Sequence, residues 1–402
     1  MMCVRRRPTT LSGESDRRRS ALFIAQFPPP HHGQSVMASL VRDVFLQAGL
    51  SITVLWSGGA RNLEDVGRRT LTKYFGFMRL VFELSLMWLF GRRFDLAYLG
   101  FVPWAHTALR DALLALIAKG LGNRVFVHVH GDGFVELLKG TSWRSRFIRS
   151  CLRSTEVLAI TAETARNAAR LGLFARVIPL SNTCDDPGHP KEPAESGSIG
   201  VGWLGNLDPR KGVMDFVDVV GKLRKRGVAF RATVAGATTT SLSVEALKDH
   251  VANLGLADQI CVLGYVGREM KEALLTSHDV LLYLSRHDLS PLVVIEALAH
   301  GNIPIVIDCG GLREMVGPQL SQNVLPANLS RDAAITRAVD IILGYAADRS
   351  LLARDKMRAR ERYLKAYHPE AFRGDILSFI NEDDPRSADA TPHKSALAGE
   401  VR

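Results

Sequence analysis

Ser285-Arg-His-Asp-Leu-Ser-Pro-Leu-Val-Val-Ile-Glu-Ala-Leu-Ala-His-Gly301 places two acids, Asp288 and Glu296, eight positions apart. The apolar run Asp279–Ser285 that leads into it is short enough to be a fully buried strand. Ser290 is expected as a helix N-cap, Pro291 as the first helical residue and Gly301 as the residue past the end. Asp288 then lies in the loop leaving a strand. Glu296 lies about a turn and a half into the next helix, roughly 8 Å along its axis. A helix N-terminus between two carboxylates offers N–H groups to a phosphate and acceptors to hydroxyls on either side. Such a cradle suits a sugar nucleotide.

Apolar runs on both sides of this segment extend the pattern. Strands are expected at Ala21–Phe27, Ser51–Ser57, Leu96–Phe101, Arg124–His130, Glu156–Ala162 and Arg176–Leu180, with helices such as Ser35–Ala48 and Ala105–Lys119 between them. A second series begins at Ile199 and continues at Phe230–Gly236, Ile260–Val266, Asp279–Ser285 and Ile303–Cys309. Strands alternating with helices imply parallel α/β sheets. The Pro- and Gly-rich stretch after residue 184 is the clearest linker. The expected organisation is a basic, disordered tail at 1–19, a Rossmann-like domain at 20–184 and a linker at 185–198. A second Rossmann-like domain follows at 199–368, then a helix at 369–381 and a disordered tail at 382–402.

At 402 residues, with 47% hydrophobic and 23% charged residues, the chain suits two ordinary domains with substantial cores. Five cysteines show no paired spacing and no CxxC, so reduced thiols of a cytoplasmic protein are expected, with no metal site. No secretory signal is evident at the arginine-rich start. Residues 1–185 hold 25 Lys and Arg against 13 Asp and Glu, a surplus of 12, whereas the remainder holds 26 against 28. A basic half seeks phosphate-rich partners, nucleic acid or an anionic membrane. Nucleic acid is the weaker of these, because the basic residues are not interleaved with stacking aromatics.

Thr70–Phe94 is the stretch suited to a membrane surface. Arg79 and Glu83 interrupt it, so it does not span. Its flanking Lys73, Arg92 and Arg93, with Trp88 near one end, fit an interfacial helix, and a core helix of the first domain fits equally.

Lys211 sits in the turn Asn206-Leu-Asp-Pro-Arg-Lys-Gly212 after a strand. A fixed cation there can neutralise a departing diphosphate without a metal. A solvated basic turn is the alternative. Glu296 has apolar flanks and wants a partner. Phe27-Pro-Pro-Pro-His-His-Gly-Gln-Ser35 lacks GxGxxG, which argues against a dinucleotide enzyme.

The segment from Ser285 to Gly301 resembles the acid-x7-acid signature of retaining nucleotide-sugar glycosyltransferases of family four, which have the GT-B fold. Val201-Gly-Trp-Leu-Gly-Asn-Leu-Asp-Pro-Arg-Lys-Gly212, Ala232–Gly236, Val262–Gly264 and Pro304–Gly311 follow that family's pattern in order. The similarity covers most of residues 20 to 370 and is strongest after 199. It implies two doubly wound domains facing each other across a cleft, 20–184 on the acceptor side and 199–368 binding the nucleotide sugar, with the helix at 369–381 crossing back to the first. It also implies catalytic roles for His130, Asp288 and Lys211, and donor contacts from Gly33, Asn206, Arg210, Lys211, Asp288, Ser290, Leu292 and Glu296. Glu296 would accept from ribose hydroxyls, and Asp288 from hydroxyls of the donor sugar. His130 would point at that sugar, while a structural role suits its neighbour His128 better.

Three departures stand out. The family usually has Arg where this chain has Asn206, leaving Arg210 as the candidate for that charge. A second loop glycine is replaced by Gln34, and the first acid is Asp288 where Glu is commoner.

The expected activity is transfer of a sugar from a UDP- or GDP-linked donor to a hydroxyl of a lipid-linked or polysaccharide acceptor. The enzyme would be retaining, metal-independent and free of cofactors. It would be cytoplasmic and in part peripheral on the inner face of the plasma membrane. A nucleotide-sugar epimerase of similar fold and a catalytically degenerate binding or scaffold subunit are the rivals.

Overall fold

The computed structural model describes residues 18–29, 33–57, 71–188 and 197–381. The expected terminal tails, the interior of the linker, and the basic Arg68 and Arg69 just ahead of the Thr70–Phe94 stretch lie outside the described residues, Arg18 and Arg19 apart.

Six strands form a first parallel sheet: β1 (Ser20–Ala25), β2 (Ser51–Trp56), β3 (Phe94–Phe101), β4 (Gly122–Val129), β5 (Glu156–Ala159) and β6 (Arg176–Pro179), in the order β2-β1-β3-β4-β5-β6. Its helices are α1 (Gly33–Gln47), α2 (Leu71–Leu89), α3 (Ala105–Lys119), α4 (Phe134–Lys139), α5 (Trp143–Leu152) and α6 (Ala162–Ala169). The second parallel sheet contains β7 (Ile199–Leu204), β8 (Phe230–Ala235), β9 (Ile260–Leu263), β10 (Val280–Tyr283), β11 (Ile303–Ile307) and β12 (Val324–Leu325), in the order β12-β11-β10-β7-β8-β9. With it go α7 (Val213–Lys225), α8 (Val244–Asn253), α9 (Arg268–Ser277), α10 (Leu292–Ala299), α11 (Leu312–Val316), α12 (Arg331–Ala347) and α13 (Arg349–Ala366). The last helix is α14 (Pro369–Asn381).

Both sheets are doubly wound, and each reverses its strand order once, between β1 and β3 and between β7 and β10. A crevice opens at such a point, because the chain leaves adjacent strand ends towards opposite faces. Several expected strands run too far at their C-terminal ends. Gln26 and Phe27 follow β1, and Ile160 to Ala162 follow β5, outside the ladders. Apolar side chains line the exits as well as the strands, so periodicity alone overshoots.

The second core is continuous from Ile199 through Trp203, Phe216 and Tyr283 to Tyr363. Beneath it a buried ion pair joins Lys356 Nζ on α13 to Asp279 Oδ1 at the foot of β10, 2.9 Å apart. Asp279 Oδ2 also accepts from the Gly200 amide at 2.8 Å, and Lys356 donates to the His278 carbonyl at 3.2 Å.

The first sheet has a core on each face. One of them contains Phe23, Phe45, Tyr98 and Phe126 and is completed by Phe372, Ile376, Phe379 and Ile380 of α14. The end of α14 is held by Arg19, donating to the Ile380 carbonyl at 2.7 Å, and by Arg124, donating to that of Phe379 at 2.9 Å.

On α14, burial pushes the Asp375 carboxyl up to about 6. The unfolded group titrates near 3.9. Nothing is lost below about pH 4; stability falls as pH rises through that window and stays reduced above about pH 6. Asp375→Asn is therefore expected to raise the thermal midpoint at neutral pH, a gain that vanishes towards about pH 4. Equal gains at both would contradict this.

Candidate active site

The loops leaving β7 and β10 meet where the second sheet reverses its order. After β7 the chain runs through exposed Asn206 and buried Leu207 into a short 3-10 turn, Pro209–Lys211. Gly212 ends it at φ +81, and a Cβ there would lie 2.8 Å from the Leu284 carbonyl carbon. Only glycine lets this turn press so closely on the exit of β10. The Trp203 indole donates to the Lys211 carbonyl at 3.2 Å and ties the turn to the core.

That approach delivers Lys211 Nζ to both oxygens of Asp288, at 2.9 and 3.2 Å. Asp288 also accepts from the Tyr283 hydroxyl at 2.7 Å and from Ser285 Oγ at 2.8 Å. Burial works against its charge, but the Lys211 ammonium and the three hydrogen-bond donors outweigh it and hold the carboxyl below its ordinary range. Burial, reinforced by the Asp288 charge, pushes the Tyr283 phenol well up, so it stays a donor. Behind Asp288, Gly310 turns at φ +53, where a Cβ would lie 2.5 Å from the Asp288 carbonyl oxygen.

Beside this group stands α10. It begins at Leu292, one residue later than expected, with Pro291 as a cap that supplies no side-chain acceptor. Ser290 is not the cap. Asn182 takes it instead, donating from Nδ2 to the Ser290 carbonyl at 2.9 Å and to its hydroxyl at 3.3 Å. The first turn of α10 therefore keeps amides available to an anion. One turn on, Glu296 accepts from Lys271 Nζ of α9 at 2.5 Å.

Loops of the first half face this group. A Cβ on Gly33 would touch Leu292 Cδ1 at 3.9 Å, and Leu292 also packs on the core beneath α1. Both carboxyl oxygens of Glu314 accept from the Ala162 amide at the start of α6, at 3.0 Å. Burial, then the charges of Asp132 and Asp288, which come from opposite halves, push the Cys309 thiol up.

His130 follows β4 immediately before Gly131, half-buried, with its ring 4.0 Å from that of His128. His128 is fully buried, with its Nδ1 2.8 Å from the Tyr98 hydroxyl. Burial, then His130, push its imidazole well down, so it packs as a neutral ring.

Lys211, Asp288, Ser290, Leu292 and Gly33 are thus gathered in one place. Arg210 lies in the same turn as Lys211, largely exposed, with its guanidinium paired to Asp208 at 2.7 Å and with the Asp288 charge among those that raise its pKa. Asn206 precedes the same turn and is exposed. Tyr283, Ser285, Lys271 and Asn182 were not anticipated. Among the described residues, no group of three or more His, Cys, Asp and Glu is placed to hold a metal ion.

Residues 188–358 match the family model described as glycosyl transferases group 1. The chain is 29% identical over 180 residues to a 2-deoxystreptamine glucosyltransferase of Streptomyces kanamyceticus, covering 41% of this chain and 46% of that protein. It is 28% identical over 198 residues to a 2-deoxystreptamine N-acetyl-D-glucosaminyltransferase of Streptomyces fradiae, covering 46% of each. The chain thus spans about half the length of the curated relatives it matches.

Among solved structures it resembles sucrose-phosphate synthase of Thermosynechococcus elongatus, with a TM-score of 0.67 at 16% identity over 91% of this chain and 99% of the other. It also resembles HepE of Anabaena in complex with UDP and glucose, with a TM-score of 0.62 at 14% identity, covering 91% and 100%. These likenesses give the fold, two facing parallel α/β halves of the GT-B type.

Proposed function

We propose that this chain, whose second half belongs to the glycosyl transferases group 1 family, moves a sugar from a nucleotide diphosphate to an acceptor hydroxyl with retention at the anomeric carbon. The observation that carries the reading is the Lys211–Asp288 pair at the sheet's reversal point, beside the open first turn of α10. A donor diphosphate entering there meets a cation and free amides, while Asp288, exchanging Lys211 for the ligand, accepts from sugar hydroxyls. Glu296, steadied by Lys271, accepts from the ribose.

As the anomeric C–O bond to the diphosphate breaks, its electron pair goes to the phosphate oxygen, where Lys211 offsets the charge. The acceptor oxygen bonds to the anomeric carbon on the face the phosphate leaves. Its proton passes to the departing phosphate oxygen. His130 lines the facing loop, within reach of the sugar in this reading. The basic first half supports a lipid-linked or polysaccharide acceptor.

Screening UDP- and GDP-sugars for product with a hydroxyl acceptor tests the reading. Release of free nucleotide with an epimerised sugar and no acceptor requirement would favour the epimerase. No turnover and no nucleotide affinity would sink both.

Because Lys211 and the α10 amides neutralise the leaving group, turnover is expected to survive EDTA. Activity abolished by chelation and restored by magnesium or manganese would contradict this.

A further inference from the structure

We propose that the outer face of α2 is a docking surface for an anionic phospholipid bilayer. The inference rests on the reading of the acceptor as lipid-linked. Its inner face is well used: Leu80 and Leu84 are buried, and Phe77, Val81 and Met87 pack on the core of the first half. The opposite face is nearly as apolar and, among the described residues, has no cover. Tyr74, Phe75, Met78, Phe82 and Leu89 are all exposed on it, Phe75 at 67%, and Phe90 continues the stripe at 77%. Positions 75, 78, 82 and 89 recur at helical spacing, so they form one band. A contiguous apolar band of this kind marks an interaction surface.

Charge selects the occupant. Arg79 stands within the band with its side chain 80% exposed, and Arg92 and Arg93 follow the helix, both exposed. The helix's one acid, Glu83, is already tied to Arg79 at 2.7 Å. Two copies stacked through this face would bring like charges together, which disfavours a symmetric pair. Guanidinium groups around aromatic rings suit the phosphates and the headgroup depth of an anionic leaflet. Among the described residues no helix is long and apolar enough to cross a membrane, so attachment through this face is in-plane and reversible.

The full chain should co-sediment with vesicles of phosphatidylcholine plus phosphatidylglycerol and not with phosphatidylcholine alone. Tryptophan emission should shift to the blue, and high salt should release the protein. Replacing both Arg92→Ser and Arg93→Ser should weaken partitioning by roughly 30-fold. The double variant Phe75→Ser, Phe82→Ser should abolish it, with thermal stability and affinity for the nucleotide diphosphate unchanged. Protein left in the supernatant with anionic vesicles at low salt would overturn the proposal. So would undiminished binding by the folded phenylalanine variant, or a particle mass of two chains that falls to one in that variant. Loss of nucleotide affinity in the unaltered chain, with vesicle binding intact, would instead strike only the transferase reading.

Discussion

Lys211→Ala is expected to weaken binding of the nucleotide diphosphate by about 1.5–3 kcal/mol, the worth of a lost charge-assisted hydrogen bond. Its effect on turnover should be larger. Charge accumulates on the leaving phosphate as the glycosidic bond breaks, so the ammonium is needed most at the transition state. Removing one preorganised donor of that kind costs about 2.7–4 kcal/mol, roughly 100- to 1,000-fold in kcat. A second consequence follows from the pairing at 2.9 Å. Lys211 is the foremost influence holding the Asp288 carboxyl down against its burial. Without it the carboxyl rises, and the acid limb of the pH–rate profile should move to higher pH. Calorimetry with the diphosphate and a pH profile of the variant check both. Unchanged affinity in a folded variant would remove Lys211 from the site.

The second large effect is on stability. Lys356→Met should destabilise the protein by about 3–5 kcal/mol, as expected when one member of a buried ion pair is removed and its partner is left charged. Both side chains are only 9% exposed. Asp279 would keep the Gly200 amide but lose its cation. From this point β7 and β10 run side by side in parallel to the exits that carry Lys211 and Asp288, so weakened nucleotide binding should accompany the lower melting temperature. Replacing both residues, Lys356→Met with Asp279→Leu, should recover part of the loss. Denaturant unfolding of single and double variants measures the coupling. A single variant as stable as the parent would refute the anchoring role.

What the amino-acid order disclosed was local. The strand leading to Asp288, the turn carrying Lys211 and the helix carrying Glu296 each lie within about a dozen residues, where periodicity and turn chemistry act. What it hid was long-range. Lys271 reaches Glu296 across 25 positions and Asn182 reaches Ser290 across 108, and no spacing rule connects either pair. The helix start is displaced beside that contact, with Pro291 in extended backbone as the cap. Serine before proline is a sound capping signal, but here Ser290 accepts from Asn182, at its carbonyl and its hydroxyl, from another part of the chain. Tyr283 was concealed differently. Inside an apolar strand it passes for core, and only its hydroxyl, at the edge of that core, reaches Asp288. Arg210, the candidate to replace an absent arginine, pairs with Asp208 two positions away.

The closure of the first half by α14 sets a timetable for synthesis. Residues 20–180 leave the ribosome long before Phe372, Ile376, Phe379 and Ile380, which complete their core. At about 5–20 residues per second, some 200 further residues take roughly 10–40 s. Throughout that interval Phe23, Phe45 and Phe126 lack their lid, and exposed apolar surface of this kind is what makes folding intermediates prone to aggregate. Because the lid is the last described element, the core of the first half is closed only after the whole second sheet has been made.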